Sequence, residues 1–272
     1  MKPRPFNYVR PDSVAEAIDA LAHYGERARI LAGGQSLIAM LNLRLVDAEA
    51  IIDISRLKEL SEISRKGNGV EVGAAVTQNR LLAWPELRSR VPLLAKIIPW
   101  VGHFQTRNRG TICGSLSHAD PSSEIPLALA MLGGSVVLRS KRGTRVLTAD
   151  QFQTGVLSTA REPDELVVAA HFPANGSKGV AFREAARRHG DFAIVGVGAV
   201  RKADGEVILG IGGVSSRPFV TSLVFESPDE IAAGIEKLLW RFDGYEDMHA
   251  TPRMRRDLVR RMAPLVIEEA MA

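Results

Sequence analysis

Apolar positions recur along the chain with two periods, and the switches between those periods set the predicted elements. Val14, Ala17, Ile18 and Leu21 share one helical face, with Ser13 placed to cap a helix over about 14–22 and Gly25 placed to end it. Arg29–Ala32 reads as a short buried strand. Residues 37–45 form an apolar stretch that starts helical, and 50–54 reads as the next strand. Alternation at 70–74 predicts a strand, 78–84 a short helix and 92–100 a longer one. Residues 110–117 read as a glycine-containing turn, and 125–132 as a buried helix. A hairpin is expected from 135–139 and 145–147 around Lys141–Thr144. Beyond a Pro-Ala-Asn-Gly-Ser-Lys-Gly loop at 173–179, residues 192–202 and 206–214 read as antiparallel strands joined at Ala203–Gly205. Helices follow at 229–240 and 252–270, the second expected to kink at Pro264.

This mixture has neither sustained βαβ alternation nor a G-x-G-x-x-G turn, so the class is α+β rather than a dinucleotide-binding doubly wound sheet. The loop at 173–179 divides it into 1–172, itself two subdomains of about 1–55 and 56–172, and 173–272. At 272 residues, 46% apolar and 24% charged, the chain suits a soluble protein with a sizeable core. The net charge of +4 is spread out. The densest basic run, Arg253, Arg255, Arg256, Arg260 and Arg261, has acidic neighbours at Asp257, Glu268 and Glu269, which fits a solvated helix or a subunit contact better than a nucleic-acid face. The single cysteine, Cys113, excludes an internal disulfide, a cysteine-ligated iron–sulfur cluster or a zinc finger carried by this chain alone. No apolar segment follows Met1–Phe6 and no run is long enough to span a membrane, so a cytoplasmic location is expected. The six histidines show no metal-ligand spacing. Trp84, Trp100 and Trp240 sit in apolar company and read as core or interface residues.

Chemistry concentrates in two small-residue turns, Ala32-Gly33-Gly34-Gln35-Ser36 and Thr111-Ile112-Cys113-Gly114-Ser115. Glycines let the backbone approach a ligand closely, and successive N–H groups form a concave nest for phosphate oxygens. Either turn alone reads first as ordinary punctuation. Together the residues reach as far as an anionic ligand clamped between two loops. His118 and Asp120, just past the second turn, read as a loop-ordering pair rather than an acid and base.

The two turns resemble the FAD-pyrophosphate loops in the medium subunit of molybdenum hydroxylases, the carbon monoxide dehydrogenase and xanthine dehydrogenase family. The likeness runs in order along nearly the whole chain, through Lys2–Tyr8, Ser13–Ala17, Arg107–Gly110, Leu116–Pro121, Arg187–Val195, Asp247–Ala250 and Arg253–Arg256. It implies a two-subdomain FAD-binding domain of the PCMH type followed by a C-terminal domain with a small antiparallel sheet and helices. It also implies FAD in this chain, with molybdopterin in a large partner subunit and [2Fe-2S] clusters in a small one, and electrons passing through this chain to an external acceptor. By the family pattern the backbones of Ala32, Gly33, Gly34, Gln35 and Ser36, and of Thr111, Ile112, Cys113, Gly114 and Ser115, hold the pyrophosphate. Arg29, Ile30, Leu31 and Leu37 flank the first loop toward the adenosine half, and Glu124 matches an acidic position on the ribose. Val101 matches a wall of the cofactor cleft and Val167 a position near the isoalloxazine. Arg183 matches a basic position near the flavin, and Phe192 one over its ring with Asp191 beside it. No residue is required as a nucleophile or metal ligand. Two positions depart from the pattern: Cys113 stands where glycine is usual, and Ser115 where asparagine often is. The alternatives are a stand-alone flavoenzyme and an assembly subunit of the same fold that has lost FAD.

Overall fold

The computed structural model describes residues 2–174, 176–225, 229–244 and 246–272. The first unit is a three-stranded sheet with two helices: β1 (Asn7–Val9), α1 (Val14–Tyr24), β2 (Ala28–Leu31), α2 (Leu37–Asn42) and β3 (Ala50–Asp53). Its strands pair in parallel in the order β1-β3-β2. The predicted cap is in place, because the Ser13 side chain accepts from the Glu16 N–H and Gly25, at φ 54°, ends α1.

The second unit is built on five antiparallel strands. In chain order they and their neighbours are β4 (Ile63–Lys66), β5 (Gly69–Gly73), α3 (Gln78–Leu82), α4 (Leu87–Arg90), α5 (Pro92–Ile97), α6 (Phe104–Arg109), α7 (Ile112–His118), α8 (Glu124–Met131), β6 (Ser135–Ser140), β7 (Gly143–Thr148), α9 (Ala149–Phe152), the small pair β8 (Gln153–Gly155) and β9 (Ser158–Thr159), and β10 (Leu166–Phe172). The sheet order is β4-β5-β10-β6-β7, so β10 returns to the centre from far along the sequence.

The expected turn at 110–117 is instead the helix α7. Thr111 caps it by accepting from the Gly114 N–H at 2.9 Å, and Ile112, Cys113 and Leu116 bury themselves on one side. A threonine cap and an apolar pair at i and i+4 outweigh the helix penalty of one glycine, about 1 kcal/mol.

The third unit is a four-stranded antiparallel sheet, β11 (Gly179–Ala185), β12 (Val195–Arg201), β13 (Val207–Gly212) and β14 (Phe219–Leu223), with α10 (Asp229–Leu239) and α11 (Pro252–Met271). The strand expected from 192 starts only at Val195, because residues 186–194 form a loop. Helix α11 runs unbroken through Pro264. One face of this sheet joins α10 and α11 in a second apolar core, containing Val197, Leu209, Ile235, Val259 and Ile267. The other face is a glycine column, Gly196 and Gly198 on β12 beside Gly210 and Gly212 on β13. A Cβ on Gly198 would come within 2.8 Å of the Met131 sulfur, and one on Gly210 would overlap the Met131 side chain. The absent side chains let α8 seat directly on the sheet, which fixes the N-terminus of α8 and with it Glu124. Arg255 of α11 is buried and ties the loop before β12 to the end of β13, donating through Nη1 to the carbonyls of Ile194 and Gly213. Asp247 lies 2.7 Å from its Nη2. Trp84 and Trp100 pack against the first core as expected, whereas Trp240 is 81% exposed with the Arg256 guanidinium 5.7 Å from its ring centre. Among the described residues no helix is long and apolar enough to cross a membrane.

Candidate functional site: a cleft between two backbone loops

The first loop leaves the end of β2 and enters α2, which places it at the open edge of the parallel sheet. Gly34 adopts φ 73°, in the left-handed region that favours glycine. Gly33 lies flat against the end of α6: a Cβ there would sit 2.8 Å from the Gly110 Cα and overlap the Arg109 carbonyl. Among the described residues the N–H groups of Gly33, Gly34, Gln35 and Ser36 have no acceptor within the chain.

The second loop is held from below. The Gln78 N–H donates to the Gly110 carbonyl at 2.9 Å and the Ile112 N–H to the Val76 carbonyl at 3.2 Å, so the N-terminus of α7 is pinned to the chain leaving β5. Ser115 and Ser123 share a hydroxyl hydrogen bond of 3.0 Å, which links α7 to the start of α8.

Between the loops runs a cleft of about 520 Å³, within the range of cofactor sites. It brings together expected residues from four stretches of the chain: Arg29, Ile30 and Ala32–Leu37; Val101, Thr111, Cys113–Ser115 and Glu124; Val167; and Asp191 and Phe192 all line it. Three expected residues lie outside. Leu31 faces a neighbouring recess with Asp53 and Arg109. Ile112 is fully buried beneath α7. Arg183 stands on the opposite face of β11 from Phe182 and Glu184, toward α11, where its Nε donates to Glu269 at 3.2 Å. The period of two along a strand separates it from the cleft.

The loop at 186–194 reaches the cleft by docking on α6. Gly190, at φ 88°, abuts the His103 ring so closely that a Cβ would come within 2.7 Å of it. The His189 ring lies 5.9 Å from His103 and 6.3 Å from Trp100. This docking carries Asp191 and Phe192 to the rim, with Phe192 56% exposed. The cleft also takes in residues that no motif signals, among them Met40, Gln78, Leu157 and Arg161.

Electrostatically the cleft holds one unusual acid. Glu124, the first residue of α8, is only 4% exposed, and burial pushes its carboxyl up to about 7. Glu184 faces it from β11 and is pushed up to about 8, by burial first and by the charge of Glu124 second; its Oε2 is buried with no hydrogen-bond partner in the chain. His118 lines the same wall and is held below its ordinary value by burial. Asp120 has the loop-ordering role, since its Oδ1 accepts from the Ser122 N–H at 2.8 Å.

Cys113 departs from the family pattern without disturbing the geometry. It sits in a helix, so its backbone needs no left-handed conformation, and its thiol points inward with Sγ 3.6 Å from the Val72 carbonyl oxygen. Burial pushes the thiol up to about 12, which removes the thiolate on which a redox role depends.

Residues 4–175 match the FAD-binding domain of molybdopterin dehydrogenases. The chain is 39% identical over 206 residues to the caffeine dehydrogenase subunit beta of Pseudomonas sp. (strain CBB1), spanning 75% of this chain and 70% of that one. It is 36% identical over 209 residues to the carbon monoxide dehydrogenase medium chain of Hydrogenophaga pseudoflava, spanning 76% and 73%. Among solved structures, a chain of quinoline 2-oxidoreductase from Pseudomonas putida 86 superposes with a TM-score of 0.93 at 33% identity, covering 99% of this chain and 98% of that one. A fold shared over almost its full length, and a matched domain that spans both loops of the cleft, make this chain a member of the FAD-binding medium subunits of the molybdenum hydroxylases.

Proposed function

We propose that the chain is the electron-transferring subunit of a heteromeric molybdenum-containing hydroxylase, taking electrons from a [2Fe-2S] partner and delivering them to an external acceptor. The observation that carries this reading is the meeting of the two loops at Gly33 and Gly110, where backbone donors of the first loop stand without acceptors beside the N-terminus of α7. The residues present fit an FAD. The loops supply close-approach glycines and free N–H groups for a pyrophosphate, and the Glu124 carboxylate offers two acceptor oxygens to sugar hydroxyls. Val101 and Val167 give apolar walls, and Phe192 an exposed aromatic face at the rim. Bound FAD supplies conversion between one-electron and two-electron carriers. The chain's own residues orient it, shield it and leave one edge open.

The single cysteine means that iron–sulfur clusters belong on another chain, and relatives named as beta subunit and medium chain support a multi-chain assembly. Molybdopterin is assigned by the same reading to a large subunit. The purified full-length chain is expected to be yellow, to release FAD on acid precipitation, and to be reduced anaerobically by its reduced iron–sulfur partner. A colourless chain that takes up no FAD would overturn the reading, as would oxidation of an organic donor by this chain alone.

A further inference from the structure

The cleft contains two guanidinium groups whose hydrogen bonds, among the described residues, all go to backbone carbonyls. Arg29 on β2 donates through Nη1 to the carbonyls of Glu26 at 2.6 Å and Ala28 at 2.8 Å. Arg161, between β9 and β10, donates through Nη1 to the carbonyls of Glu162 at 3.0 Å, Pro163 at 3.3 Å and Glu165 at 2.7 Å. Both line the cleft. Of the three nearby acids, Asp164 is committed to Arg142 at 2.8 Å and Glu165 to Arg145 at 2.6 Å, while the Glu162 carboxylate acts on Arg161 without forming an ion pair. Among the described residues, neither Arg29 nor Arg161 forms an ion pair, and the Nε and Nη2 of each have no acceptor in the chain. Burial first, and the charge of Arg29 second, hold the Arg161 guanidinium below its ordinary value against the opposing pull of Glu165, Asp164 and Glu162. A desolvated guanidinium that faces a second cation across one cleft is costly unless a ligand completes it.

The pyrophosphate is not that ligand. Arg29 lies on β2, four residues before Gly33 and up to roughly 13 Å from it at 3.3 Å per residue, and its Nη1 is engaged by the Glu26 and Ala28 carbonyls behind it in the chain. A neutral ring with a π face and ring-nitrogen acceptors fits instead, because a guanidinium both stacks on such a face and donates to its edge. Resting on the FAD reading above, we propose that Arg29 and Arg161 grip the adenine ring, and that Arg161 is a specificity residue selecting the dinucleotide over shorter flavins.

The test uses the full-length chain stripped of flavin, titrated with FAD and with riboflavin 5′-diphosphate, which keeps the pyrophosphate but lacks adenosine. Arg161→Ala and Arg29→Ala are each expected to weaken FAD about tenfold, within the range of a desolvated cation–π contact, and to leave riboflavin 5′-diphosphate within about twofold. Arg161→Lys, which keeps the charge but not the planar fork, is expected to stay weak for FAD. Equal losses for both ligands would overturn the proposal, since they would mean a phosphate contact or a collapsed loop. Unchanged FAD affinity in Arg161→Ala would overturn it too. A wild-type chain that binds neither ligand would instead defeat the FAD reading on which the proposal stands.

Discussion

Replacing Glu124 with glutamine separates what the cleft costs the fold from what it offers a ligand. In the flavin-free chain the buried carboxyl is raised from its ordinary 4.5 to about 7, so between those values the folded state keeps a proton that the unfolded state has released. Stability is therefore full below pH 4.5, falls as pH rises through the window, and stays lower above pH 7. Two and a half decades of proton affinity at about 1.36 kcal/mol each amount to about 3–4 kcal/mol. Glutamine cannot ionise, so Glu124→Gln should match the parent near pH 4.5 and exceed it by about 3–4 kcal/mol at pH 8. Glu184, raised partly by the charge of Glu124, should titrate at lower pH in the variant. FAD binding should run the other way. Ribose hydroxyls donate to the ionised carboxylate, so parent affinity should rise between pH 6 and 8 while the variant stays flat. At pH 8 the variant should bind about 10–100-fold more weakly, the loss of one charge-assisted hydrogen bond. Urea denaturation of the flavin-free proteins at pH 4.5 and 8, with FAD titrations at pH 6 and 8, measures both arms. Parallel stability profiles would refute the burial argument, and equal FAD affinity would remove Glu124 from the cofactor site.

Gly33→Ala should force the first loop off the Arg109–Gly110 backbone and lower FAD content at least tenfold, read from the flavin-to-protein absorbance ratio, while the far-ultraviolet dichroism stays unchanged. Cys113→Ala should retain full flavin content, and in the native parent the thiol should resist a disulfide reagent until denaturant is added. Arg255→Ala strips a buried guanidinium from two carbonyls and from Asp247, and should cost about 3–5 kcal/mol in urea unfolding.

How legible each part was follows from how local its cause is. The first helix could be read because its cap and its apolar face lie within twelve residues of each other, and both appear as written. The two loops could be read because glycine, serine and threonine act on their own backbone and the family motif covers them. The sequence is least informative where the outcome depends on strands that carry weak patterns of their own. The stretch Gly179–Ala185 alternates over too few residues to announce a strand, yet it pairs with β12 along its whole length. Without that strand the parity of its pleat is unknown, so Arg183 and Glu184 could not be sorted. The structure turns Glu184 inward, where it feels the charge of Glu124, and turns Arg183 to the opposite face, where it meets Glu269. Arg161 was invisible for a related reason. It sits in Ala-Arg-Glu-Pro-Asp-Glu, which reads as a charged surface loop, and it becomes a cleft residue only because β10 returns to the middle of the second sheet. That return draws the loop behind it across the end of the cleft and spends the neighbouring acids on Arg142 and Arg145. Local chemistry thus wrote the two close-packed glycine loops into the sequence, whereas the groups proposed to distinguish one end of a ligand from the other come from sheet order.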